Sequence, residues 1–183
     1  DSPLGYEWAG ALYAAGDSGK EHVINNSVFA NNSAGEAGGA IMADTNLSIQ
    51  NSVFFGNSCQ QGHALWIKSG DVDLRNSIIW GSPEDGRAMV GAYSNTNSGG
   101  VSPGGGSPNY IEASSLVQGG FGATDPLFVN TENLIGDDGI WGTADDGLQL
   151  REGSPAVDAG SNNDFVVAND LTGGLRILDG DED

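Results

Sequence analysis

Asn26-Ser27-Val28-Phe29, Asn51-Ser52-Val53-Phe54 and Asn76-Ser77-Ile78-Ile79 stand 25 residues apart, and this recurrence decides the fold. Two positions before each Asn lies an aliphatic residue, Ile24, Ile49 or Leu74, and four positions before it lie His22, Leu47 and Val72. A degenerate fourth copy runs over Ile111 to Val117, where Ser115-Leu116-Val117 matches Ser77-Ile78-Ile79. Between copies, Gly38-Gly39-Ala40-Ile41-Met42 and Gly62-His63-Ala64-Leu65-Trp66 each join a small-residue turn to an apolar stretch, with an earlier relative at Gly10-Ala11-Leu12-Tyr13.

Each unit reads as two or three short strands with alternating apolar positions and polar turns. One unit cannot bury its apolar face alone, so successive units must stack. Stacking sets Phe29, Phe54 and Ile79 on one another, and Ile24, Ile49 and Leu74 likewise. A coil of about 25 residues advancing ~4.8 Å per turn is a parallel β-helix, whereas antiparallel hairpins impose no constant interval. Asn26, Asn51 and Asn76 then fall at one bend, where Asn tolerates a left-handed backbone and its amide is expected to bond the next Asn in a ladder.

Composition agrees. The 183 residues include 30 Gly and only 17% charged side chains, and Lys occurs twice, at Lys20 and Lys68. Exposed helix faces favour Lys, Glu and Arg, so an amphipathic-helix fold is excluded and an all-β, turn-rich chain expected. A hydrophobic fraction of 38% suffices for a core and argues against disorder. The formal charge of −19 repels phosphate backbones and anionic lipid, so no nucleic acid is expected as a partner. No run approaches the roughly 20 apolar residues of a membrane span, so no membrane insertion is expected. Cys59 is alone, which leaves no internal disulfide and no paired-cysteine zinc site. The chain begins at Asp1 and reads as a piece of something longer.

Phe29-Ala30-Asn31-Asn32 and Phe54-Phe55-Gly56-Asn57 are FxxN, and Gly38-Gly39-Ala40-Ile41 is GGAI. Over residues 19 to 82 the chain thereby resembles the repeats of polymorphic outer-membrane proteins, which build right-handed parallel β-helix passengers of bacterial adhesins. The third copy departs from the pattern: Ile79-Trp80-Gly81-Ser82 lacks the Asn, and Gly62-His63-Ala64-Leu65 the second Gly. The second half is similar to the C-terminal cap region of secreted bacterial β-helix proteins of the pectate-lyase-like group. Its matching segments are Ser115-Leu116-Val117-Gln118-Gly119-Gly120, Asp125-Pro126-Leu127-Phe128-Val129, Gly153-Ser154-Pro155-Ala156-Val157-Asp158-Ala159-Gly160 and Asp170-Leu171-Thr172-Gly173-Gly174-Leu175-Arg176. These likenesses imply secretion to the medium or the cell surface. One domain is expected: coils over 1–120, a long Gly, Ser, Asn and Pro excursion over 83–109, and an acidic C-terminal cap over 121–183 that closes one end.

Residues 121–183 carry 14 Asp or Glu against 2 Arg. Gly136-Asp137-Asp138-Gly139-Ile140-Trp141-Gly142-Thr143-Ala144-Asp145-Asp146-Gly147 is the densest acidic block. Calcium takes six to eight hard oxygens from carboxylates and carbonyls, so Asp137, Asp138, Asp145, Asp146 and the Ile140 carbonyl form a candidate calcium site, and the spacing is not that of an EF-hand. Without a cation, four carboxylates so close are expected to repel and leave the loop without order.

β-Helix enzymes usually act on acidic polysaccharides. A lyase needs carboxylates holding calcium and a nearby Lys or Arg as base, and Lys68, Asp71, Asp73 and Arg75, with Asp44, make the alternative catalytic patch. Gly62-His63-Ala64 and Trp66-Ile67-Lys68 are faintly similar to polygalacturonase signatures, but the repeat maps His63 onto Gly39, a turn position, and the paired-Asp motif of those enzymes is missing. Trp66, Trp80 and Trp141 are candidate glycan contacts. The reading adopted is a non-catalytic, calcium-stabilised module for adhesion, scaffolding or self-association. A glycan, another surface protein or a second copy stacked end to end are its expected partners, and a polysaccharide lyase is the alternative.

Overall fold

The computed structural model describes residues 8–17, 20–85, 87–92, 109–120, 123–161, 169–171 and 173–174. Twelve strands appear among them and no helix. In chain order they are β1 Leu12–Ala15, β2 Glu21–Asn25, β3 Val28–Ala30, β4 Ile41–Asp44, β5 Asn46–Gln50, β6 Val53–Phe55, β7 Leu65–Ser69, β8 Val72–Arg75, β9 Ile78–Trp80, β10 Val90–Ala92, β11 Tyr110–Ala113 and β12 Leu116–Val117. Every third strand pairs in parallel, giving three four-stranded sheets: β1-β4-β7-β10, β2-β5-β8-β11 and β3-β6-β9-β12. The chain is a parallel β-solenoid.

The 25-residue interval appears directly in the registers. Ile24 pairs Ile49 and Ile49 pairs Leu74; Phe29 pairs Phe54 and Phe54 pairs Ile79. The Phe29 and Phe54 rings stack at 4.9 Å and 10°. These columns join Ile41, Leu65, Leu47, Val72 and Ile67 in one continuous interior. The relative at Leu12 and the degenerate copy at Leu116-Val117 take their places in it, pairing Ile41 and Ile78-Ile79.

The corners explain the repeated polar residues. Asn26, Asn51 and Asn76 all have left-handed backbones, with φ of 47, 51 and 47°. The expected amide ladder, however, is broken at Asn51, whose Nδ2 is buried without a partner. Serine carries the ladder instead. The backbone N–H of Ser27 donates to Ser52 Oγ, that of Ser52 to Ser77 Oγ and that of Ser77 to Ser115 Oγ, at 3.1–3.2 Å. Each hydroxyl donates to a carbonyl two residues before it. A hydroxyl both donates and accepts, so one small side chain satisfies two backbone groups of the bend. The FxxN asparagine works similarly: buried Asn57 accepts from Asn32 N–H and donates to Phe29 O.

One sequence expectation needs correction. Residues 83–109 are not loop throughout, because Val90–Ala92 forms β10 and pairs with β7. Val90 carries the inward pattern of Leu12, Ile41 and Leu65, which the polar residues around it obscure. Residues 93–108, including Ser94 to Gly100, lie outside the described residues, as do Thr172, Leu175 and Arg176 of the segment matched to the cap.

The described part of 121–183 packs along the third sheet as a flank. Phe128 and Leu134 bury themselves against Phe55, with Val53, Ile78 and Trp80 around them. Those coil residues alternate with Phe54 and Ile79 and so point outward, which makes the third sheet apolar on both faces. The chain then returns past the asparagine corner: Asn76 bonds Ser161 through both ends of its amide, and Asn26 Nδ2 donates to Asn169 O.

Candidate functional site

The outer face of the first sheet holds a groove of about 430 Å³. Its construction follows from one missing residue. Between β4 and β7 the interval is 24, pairing Ile41 with Leu65, while the second and third sheets keep 25. A β-bulge after Ala43 restores the register, so that Asp44 pairs Ser69 and Lys68 is the residue without a partner. A bulge re-aims side chains, and here it places Lys68 beside Asp44 on the outer surface.

Tyr13, Met42, Trp66 and Gly91 fall in register across the same face. Gly91 leaves room for the Trp66 ring, which a Cβ would approach to 2.7 Å and push aside. Trp8 closes the groove from the side, bridging to Ala37 and donating its indole N–H to Glu36 Oε2 at 2.9 Å. Trp8 is 48% exposed. The groove thus offers two indoles, a thioether and a small charged cluster.

In that cluster Lys68 Nζ donates to Asp44 Oδ2 at 2.6 Å, Tyr13 OH donates to the same oxygen at 2.7 Å, and Ser69 Oγ donates to Asp44 Oδ1 at 2.6 Å. The hydrogen bond from Lys68, then those from Ser69 and Tyr13, hold the Asp44 carboxyl at about 2 instead of its ordinary 3.8. The bond to Asp44 raises Lys68 above its usual 10.5. Both groups are therefore fixed in their charged forms at neutral pH.

The alternative catalytic patch is not assembled as one site. Arg75 Nε holds both oxygens of Asp73 at 2.9 Å on β8. Asp71 serves the corner between sheets: its N–H donates to Asn46 Oδ1, and its own Oδ1 accepts from Asn109 N–H and Nδ2. Lys68 belongs to the first sheet with Asp44, 24 positions before it across the bulge, while Asp73 and Arg75 lie on β8 of the second sheet. Trp8, Glu36 and Ser69 carried no sequence signal, since the 25-residue motif does not include them, while Tyr13 was marked by its place in the earlier relative Gly10-Ala11-Leu12-Tyr13. Of the proposed glycan contacts, Trp66 lines the groove, Trp80 packs with Phe55, and Trp141 is exposed on the flank.

His63 is buried and bonded, with Nδ1 accepting from Cys59 N–H at 3.1 Å and Nε2 2.9 Å from Asp85. Because Nδ1 accepts, the neutral ring carries its proton on Nε2 and donates it to Asp85. It is a structural pin, and Cys59 beside it is buried, which pushes its thiol upward in pKa.

The acidic loop is ordered by its own backbone. Asp145 Oδ2 accepts from the N–H groups of Asp137 and Asp138, its Oδ1 from Thr143 Oγ1, and Asp146 Oδ2 from the Gly142 and Thr143 N–H groups. Asp138 Oδ1 accepts from Ile140 N–H, and the Ile140 carbonyl lies 3.1 Å from Thr143 Oγ1. Among the described residues no three carboxylate, His or Cys groups converge as a metal set. Asp146 Oδ1 is buried without a hydrogen-bond partner.

No protein-family model, no curated protein and no solved structure matches this chain.

Proposed function

We propose that this solenoid is a non-catalytic, extracellular adhesion module that binds a glycan in the groove of its first sheet. The observation behind this reading is the pair of indoles, Trp8 and Trp66, set over a registered strip of β1, β4 and β7 beside the Asp44–Lys68 pair. Apolar sugar faces lie against indole rings, and carboxylates accept hydroxyl hydrogens, so such a groove suits a saccharide chain. The same pair disfavours a lyase. A base must be unprotonated to take a proton, and Lys68 is pinned as an ammonium by Asp44. Calorimetry against a panel of soluble oligosaccharides tests the reading: binding that Trp66→Ala weakens about tenfold or more supports it. Cleavage of any of these polymers with loss of activity in Lys68→Ala supports the lyase instead.

Calcium binding remains a second proposal, carried by Asp146 Oδ1, which is buried in a residue only 6% exposed. Calcium would be held by this oxygen with carbonyls of the same loop, where it would fix the flank rather than take part in binding.

A further inference from the structure

We infer that the groove selects an amino-sugar polymer carrying free ammonium groups, in preference to an N-acetylated or a uronate chain. The inference rests on the glycan-binding reading above and adds the charge class of the ligand. Its basis is that the protein already seats an ammonium there. Lys68 Nζ lies 2.6 Å from Asp44 Oδ2, 3.4 Å from Tyr13 OH, 6.0 Å from the Trp8 ring centre and 5.9 Å from that of Tyr13. Aromatic faces within about 6 Å and a carboxylate are the groups that recognise an alkylammonium. The Lys68 side chain reaches this seat from a bulge, and so comes from the protein's own surface rather than from its core.

Charge counting favours a further cation. Glu36 and Asp44 line the groove against Lys68 alone, which leaves one net negative charge after the Lys68–Asp44 pair is formed. Glu36 is already aimed by the Trp8 indole. A uronate finds no cation among the lining residues except Lys68, whose ammonium is committed to Asp44, and it must approach a chain of formal charge −19. The same field draws a polyammonium ligand in and falls with salt. A hexosamine whose apolar face covers Trp66 would turn its ammonium toward Glu36, the lining carboxylate that Lys68 does not neutralise.

The test is calorimetry of the intact chain with glucosamine oligomers, N-acetylglucosamine oligomers, oligogalacturonate and a lysine oligopeptide of matching length, at low and raised salt. The glucosamine oligomer is expected to bind about tenfold or more tighter than its N-acetylated form. Raised salt should narrow that gap, oligogalacturonate should give no heat, and the peptide should bind more weakly than the amino sugar. Glu36→Gln should shrink the ratio between the two sugars, and Trp66→Ala should weaken both. Equal affinity for the two sugars, or tighter uronate binding, overturns the charge assignment and leaves the glycan reading standing. No binding of any sugar overturns both. A lysine peptide as tight as the amino sugar shows general polycation attraction and also overturns the inference. Circular dichroism identical to the parent sequence confirms that each variant is folded.

Discussion

At the scale of single residues, the Asp44–Lys68 pair has a pH signature of known sign. Asp44 has its carboxyl lowered to about 2 in the folded chain, so its contribution to stability is full above about 4 and is lost as pH falls through 2. Lys68, raised above 10.5, contributes fully below that value and loses its part as pH rises beyond it. Asp44→Asn is expected to lower the urea midpoint at neutral pH and to flatten its fall between about pH 4 and 2 relative to the parent. Parallel curves for the two proteins would show that the pair adds nothing to folding. Asp85 and Asp145 are also lowered and contribute to acid sensitivity in both, so the difference between curves isolates Asp44. Much at this scale was legible in the sequence. Phe29, Phe54 and Ile79 are apolar at a fixed interval, and burial leaves them only one place to go. The partners of Asn26 and Asn76 were not legible, because they come from Asn169 and Ser161, which no local pattern connects to the corner. Serine stands in every copy of the motif, at Ser27, Ser52, Ser77 and Ser115, yet its role depends on hydroxyl geometry that spacing does not carry.

At the scale of elements, parallel strands stack only if each corner lets the next coil approach. Gly39 stands at such a corner, and a Cβ there would overlap the His63 carbonyl and lie 2.8 Å from Ser58 backbone atoms. Those atoms are backbone and cannot rotate away. Gly39→Ala is therefore expected to destabilise the solenoid by about 1–3 kcal/mol, the usual range for overpacking, read as a drop in urea midpoint. An unchanged midpoint would show that the coils are free to slide apart at this corner. The bulge at Lys68 belongs to the same scale. The repeat was legible as 25 residues, but its shortening to 24 before β7 and its restoration after Ala43 were not, because a one-residue slip and a one-residue bulge cancel in the count. That cancellation is why spacing alone did not single out Asp44–Lys68 as a pair within the patch of Lys68, Asp71, Asp73 and Arg75 with Asp44.

Across the whole molecule, the flank formed by residues 123–161 is held by a second, smaller apolar cluster. Phe128 meets Phe55 edge to face at 5.6 Å and 86°. Replacing Phe128 with Ala removes the centre of that cluster, a change that costs about 3–5 kcal/mol at buried sites. The loss is expected to fall on the flank: protease cleavage within 123–161 should appear, and Trp80 fluorescence should shift to the red, while the strand signal in circular dichroism persists. Simultaneous loss of the strand signal would show that coils and flank fold as one unit. Val53, Phe55 and Ile78, the apolar outward positions of β6 and β9, are the face that the flank covers; alternation alone did not mark them, because it assigns outward positions to solvent.

The groove itself is tested most directly by the four tryptophans, which report from separate places. Trp8 and Trp66 line the groove, Trp80 packs under the flank, and Trp141 is 43% exposed on the acidic loop. In a two-dimensional nitrogen–proton NMR titration with the glucosamine oligomer, the indole signals of Trp8 and Trp66 are expected to move together, and those of Trp80 and Trp141 to stay. Movement of Trp141 with the groove indoles unmoved would place binding on the flank and contradict the first sheet as the ligand surface.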